Sequence, residues 1–104
     1  MCEYEVIIKN GFGYVVRCKH CQCLNIAFGN IALHQYEWEL QALEQLTRRY
    51  LLAWKQKYTP NVKEIRIDTP MHNFQLLFAY EELQAFQDML MKAAMILNAK
   101  GFVN

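Results

Sequence analysis

The sequence predicts an α+β fold: an antiparallel sheet of about six strands in three hairpins, with two long amphipathic helices on one face, in the order ββ-ββα-ββα. Three observations carry this. Short Val-, Ile- and Tyr-rich runs alternate with a period of two, two longer stretches repeat with a helical period, and Gly- or Asn-bearing breaks separate them. With 104 residues, 54% of them hydrophobic and 11 basic against 10 acidic side chains, the chain suits one compact domain spanning 1–104.

Tyr4 to Lys9 and Phe12 to Arg17 are strand-like runs around Asn10-Gly11, and they make an N-terminal hairpin within 1–18. Either Asn10 and Gly11 alone form the turn, or the loop runs from Asn10 to Gly13. Leu24 to Phe28 and Ile31 to Gln35 flank Gly29-Asn30, which sets Ile26 opposite Leu33 and Phe28 opposite Ile31 on an apolar face. Cys23, Asn25, Ala27, Ala32 and His34 then share the other face. From about Tyr36 to Lys57 the period becomes helical, with Leu40, Leu43, Thr47, Tyr50, Leu51, Trp54 and Tyr58 on the apolar stripe and Glu37, Gln41, Glu44, Arg48 and Lys55 off it. Thr59-Pro60-Asn61 ends this helix and completes a hairpin-helix unit over 24–57. A second unit spans 63–101: strands at Lys63 to Asp68 and Phe74 to Phe78, then a helix from Tyr80 to Lys100 that stops at Gly101. Its stripe is Leu83, Phe86, Leu90, Ala93, Ala94 and Leu97.

The two units match without a gap. Asn30, Leu33, Glu39, Leu40, Gln41 and Ala42 recur, each 43 positions on, as Asn73, Leu76, Glu82, Leu83, Gln84 and Ala85, which suggests an internal duplication.

Composition excludes several chemistries. The chain has no serine, and its four glycines are too dispersed for a phosphate-cradling loop. Asp68 and Asp88 are the only aspartates, and the glutamates read as solvated faces rather than a converging acid-base pair. A net charge of +1 does not suggest nucleic acid or an anionic membrane as partner. The longest near-apolar stretch, Met89 to Leu97, is too short to span a bilayer. Met1-Cys2-Glu3-Tyr4-Glu5 has no secretory character, so the expected compartment is the cytoplasm.

What remains for chemistry is concentrated. Cys18, His20, Cys21 and Cys23 fall within six consecutive residues. The C-x2-C bend lies between two strands, where both thiolates can face one zinc ion at about 2.3 Å. Either hairpin register brings Cys2 to the cluster, opposite position 19 or 21. A structural site of Cys2, Cys18, Cys21 and Cys23 follows, with His20 or His34 as alternates for Cys23. A disulfide is a poor explanation in a reducing cytoplasm, and a redox pair normally opens a helix rather than joining strands.

The run Gly13-Tyr14-Val15-Val16-Arg17-Cys18-Lys19-His20-Cys21, then Leu24-Asn25-Ile26-Ala27-Phe28-Gly29-Asn30, with an early Cys2, resembles a family of small uncharacterised bacterial proteins found mainly in Bacteroidetes, a domain of unknown function. The resemblance implies that Cys2, Cys18 and Cys21 belong together. Cys23 is not part of that pattern, which leaves the fourth ligand open between Cys23, His20 and His34.

Trp38 and Leu52 fall opposite the first helix's apolar stripe and Met95 opposite the second's, a candidate partner surface. The leading expectation is a non-enzymatic, zinc-stabilised interaction domain, acting as a homodimer. The alternatives are a single-stranded nucleic-acid binder, using Tyr14, Arg17, Lys19 and His20 on the sheet with Arg48, Arg49, Lys55 and Lys57 on the helix, or a thiol- or zinc-dependent enzyme with His20 or His34 as base.

Overall fold

The computed structural model describes residues 3–54, 62–69 and 72–101. They form β1 (Tyr4–Lys9), β2 (Gly13–Cys18), β3 (Leu24–Phe28), β4 (Ile31–Gln35), α1 (Glu37–Trp54), β5 (Lys63–Asp68), β6 (Gln75–Ala79) and α2 (Tyr80–Gly101), in the expected order. The strands do not make one sheet. β1-β2-β3-β4 is a meander of four antiparallel strands, and β5-β6 is a separate hairpin.

The first hairpin takes the longer loop. Lys9 pairs with Tyr14, and the Asn10 side chain closes the loop by accepting from the Phe12 and Gly13 N–H groups at 2.8 and 3.1 Å. Asn10 therefore acts through its side chain, and no positive φ is needed at Gly11. A bulge at Ile7 then shifts the register by one, so the ladder ends with Tyr4 opposite Cys18. The expected position of Cys2 lies outside the described residues.

In the second hairpin Ile26 pairs with Leu33 and Phe28 with Ile31, as the alternation requires. Gly29 supplies the positive φ, 55°, at its turn. Inward side chains of both sheets meet the helices in one core, with Val15, Leu24, Ile26, Leu40, Ile65, Phe86 and Met89 among its most buried members. Phe28, Phe78 and Phe86 join the layers there, with ring centroids 4.9 Å apart between Phe28 and Phe86 and 5.4 Å between Phe78 and Phe86.

The two hairpin-helix units match in detail. Glu39 Oε1 accepts from the Tyr36 N–H at 2.8 Å, and Glu82 Oε1 accepts from the Ala79 N–H at the same distance. Both glutamates occupy the third helical position and reach back to the cap. Glu44 and Gln87, also equivalent under the offset, touch each other: Gln87 Nε2 donates to Glu44 Oε2 at 2.9 Å. Glu44 corrects its assignment to the solvated face, since it is only 6% exposed. The Arg48 guanidinium grips it with two bonds, one of them from Nε at 3.0 Å, so the carboxylate is buried with its charge matched. The expected helix residues Lys55, Lys57 and Tyr58 lie outside the described residues.

Candidate functional site

The bend between β2 and β3 is built by its own backbone. The Cys18 N–H donates to the Cys23 carbonyl at 2.9 Å and the Gln22 N–H to the Cys18 carbonyl at 2.9 Å. Gln22 takes a left-handed φ of 66°, and its side chain donates to the Lys19 carbonyl at 3.0 Å. A left-handed non-glycine residue costs on the order of 1 kcal/mol, so surrounding bonds must impose it. The turn aims the Cys21 N–H at Cys18 Sγ, 3.5 Å away.

Cys21 and Cys23 are thiols outside any disulfide. A hydrogen bond from the Cys23 backbone holds the Cys21 thiol below its ordinary range, and desolvation pushes that of Cys23 up. The pair therefore ionises in order, Cys21 first. Cys18 is 1% exposed and disulfide-bonded, which departs from the expectation that a bridge explains these cysteines poorly. The next strand is tied to the bend as well. The Lys19 N–H donates to the Glu3 carbonyl at 2.8 Å, and Cys2 precedes Glu3 in the sequence.

The structure thus brings Cys18, Cys21 and Cys23 onto one bend, with His20 exposed on it. His34 is held on the second hairpin, its Nδ1 2.8 Å from Asn25 Oδ1. Among the described residues no group of three or more His, Cys, Asp or Glu side chains is placed to hold a metal ion, and Cys2 is outside that set. Trp38, Leu52 and Met95 are 67%, 67% and 64% exposed.

Sequence reasoning missed a second feature. β4 and β6 flank a seam with a cavity at each end, one of about 290 Å³ and one of about 350 Å³. The only hint in the sequence is that β5-β6 lacks a counterpart of the first hairpin. No described helix is long and apolar enough to cross a membrane.

The chain is thus a small α+β domain with a cysteine-rich turn between two strands. It belongs to the Family of unknown function (DUF6686), whose model matches residues 1–100. Neither a curated protein nor a solved structure matches it.

Proposed function

We propose that this domain is a non-enzymatic interaction module whose cysteine bend is closed by a structural zinc ion, with Cys2, Cys18, Cys21 and Cys23 as ligands, and that it pairs with a second copy through Trp38, Leu52 and Met95. The observation carrying the metal reading is the Cys18–Gln22 turn. Its left-handed fifth residue folds Cys18, Cys21 and Cys23 onto one bend, and the lowered Cys21 thiol favours the thiolate that zinc requires; Cys18 becomes a ligand once its disulfide is reduced. Cys2 is the fourth ligand in this reading, since it precedes Glu3, whose carbonyl accepts from the Lys19 N–H on the bend. Four protein ligands leave no open position for a substrate or water, so such a site holds structure and carries no reaction. The pairing reading rests on three large apolar side chains exposed on the two helices.

The test is elemental analysis by plasma mass spectrometry of untagged protein, purified under reducing conditions without chelator. About one zinc per chain is expected, with release of metal when the thiols are blocked. Metal-free protein with four titratable thiols refutes the site. A second reading is favoured by the disulfide at Cys18. In that case protein purified without reductant shows two titratable thiols per chain and no zinc, and a covalent bridge is the staple. Sedimentation of wild type against Leu52→Arg checks the pairing; a monomeric wild type refutes it.

A further inference from the structure

Among the described strands β4 is hydrogen-bonded only to β3, and β6 only to β5. Each therefore has one edge of backbone N–H and C=O groups without a strand partner among the described residues. These strands line the same two cavities. One cavity joins the Phe28–Ile31 turn to Leu76 and Phe78, and the other joins Leu33 and Gln35 at the far end of β4 to Phe74 and Leu76 at the start of β6. Phe74 and Leu76 border both cavities, and β4 and β6 make few close backbone contacts with each other. Paired strands sit about 4.8 Å apart, so an inserted strand needs roughly 9.5 Å between its two neighbours.

The larger cavity has the chemistry of a side-chain pocket. Leu33, Leu43, Leu46, Ile67 and Leu76 line it, and its volume of about 350 Å³ holds one large apolar side chain. Gln35 lines it too, and its Oε1 is buried with no hydrogen-bond donor among the described residues. A buried acceptor without a donor costs on the order of 1–3 kcal/mol, which a ligand N–H recovers. Phe74, 47% exposed, lines it as well. The smaller cavity has the Lys63–Glu82 ion pair at its rim and suits a polar side chain.

We propose that the β4–β6 seam is a docking groove for an extended peptide of a partner protein, which pairs with both strand edges and sets one large apolar side chain among Leu33, Leu46 and Leu76. This deepens the interaction-module reading and rests on it. The two open edges select the occupant: a helix spends its backbone groups internally, and an acyl chain has none to offer, so only extended chain satisfies both edges. Side chains alternate along that strand at about 6.8 Å per two residues, in step with cavities at Ile31 and at Leu33–Gln35.

The probe is a fluorescein-labelled ten-residue peptide of alternating Leu and Thr, read by anisotropy and by hydrogen exchange with mass spectrometry. Saturable binding is expected, with protection at residues 31–35 and 75–79. N-methylation of alternate peptide amides should weaken it at least tenfold without touching the protein, and so should Leu33→Arg, whose fold is checked by thermal melting. No saturation up to about 1 mM, indifference to N-methylation, or protection that maps to β1 or β5 each overturns the groove. Protection at β1 or β5 leaves the interaction-module reading standing. A monomer that captures the peptide nowhere ends both readings. Protection of 31–35 and 75–79 on dimerisation without peptide assigns the seam to a second copy and overturns the partner peptide.

Discussion

Gly13 sits hard against the β3 backbone, opposite Phe28. A Cβ there would fall on the Ala27 carbonyl oxygen, 2.7 Å from the Ala27 carbonyl carbon and 3.0 Å from Phe28 Cα. These are backbone atoms, so no rotamer change relieves the clash and the end of the ladder must open. Opening releases the Gly13–Phe28 rung, the bond from the Gly29 N–H to the Phe12 carbonyl at 3.0 Å, and the Phe12–Phe28 ring stack at 5.7 Å. At about 1 kcal/mol for each backbone bond and for the ring pair, Gly13→Ala should cost about 2–4 kcal/mol. For a domain of this size that is a melting point lower by roughly 10–20 °C. At Gly11 a methyl group would meet nothing within 4 Å, so Gly11→Ala should stay within about 0.5 kcal/mol of wild type. Gly29 has equal room but a φ of 55°, so Gly29→Ala should fall between them, at about 1–2 kcal/mol. Thermal melting of the three variants, followed by circular dichroism, gives the ranking. If Gly13→Ala melts within about 3 °C of Gly11→Ala, the close strand approach is wrong and the register of β2 against β3 with it.

Three further outcomes are expected. Cys18→Ser and Cys21→Ser should each lose zinc and melt lower, whereas His72→Ala, in an exposed turn, should do neither; variants that melt like the parent with and without zinc refute the structural site. Glu44→Gln removes the charge that Arg48 grips and should cost about 1–3 kcal/mol at neutral pH. Bonding to Arg48 lowers the Glu44 carboxyl below its usual range, so its contribution is full above that range and fades as pH falls through the lowered value; the stability gap between wild type and Glu44→Gln should close in acid, and a gap that persists there contradicts this. Glu39→Ala and Glu82→Ala each remove a cap bond and should cost about 0.5–1 kcal/mol apiece by chemical denaturation, adding in the double variant because the caps sit on different helices.

Local rules made most of the fold legible. β3 and β4 follow from alternation around Gly29, and their pairing is as expected because a one-residue slip would turn Ile26 and Leu33 to solvent. The helices follow from their stripes. The bulge at Ile7 and the gap between β4 and β6 were not legible, since both depend on how separate elements meet rather than on any residue's own preference. Glu44 was misplaced for a similar reason: helical periodicity puts it off the apolar stripe, and only Gln87, far along the chain, shows that this edge of α1 is covered. At the site, the cysteine spacing located the bend, but the left-handed Gln22 could not be expected, since position alone rarely forces a glutamine there.

The ion pair between Lys100 and Glu5, 2.8 Å apart, joins residues separated by 95 positions, and Arg17 shares the same carboxylate. It ties the end of α2 to the β1–β2 hairpin. The β1–β4 meander is made of neighbouring hairpins and can form from local contacts, but its apolar side chains Val15, Ile26 and Phe28 share one core with α2, the last described element, where Phe28 meets Phe86. During synthesis that face waits for Phe86, Met89 and Leu90 to arrive. A chain halted before α2 would hold a nearly complete sheet with its core side open to solvent, the state in which aggregation or a chaperone competes with folding.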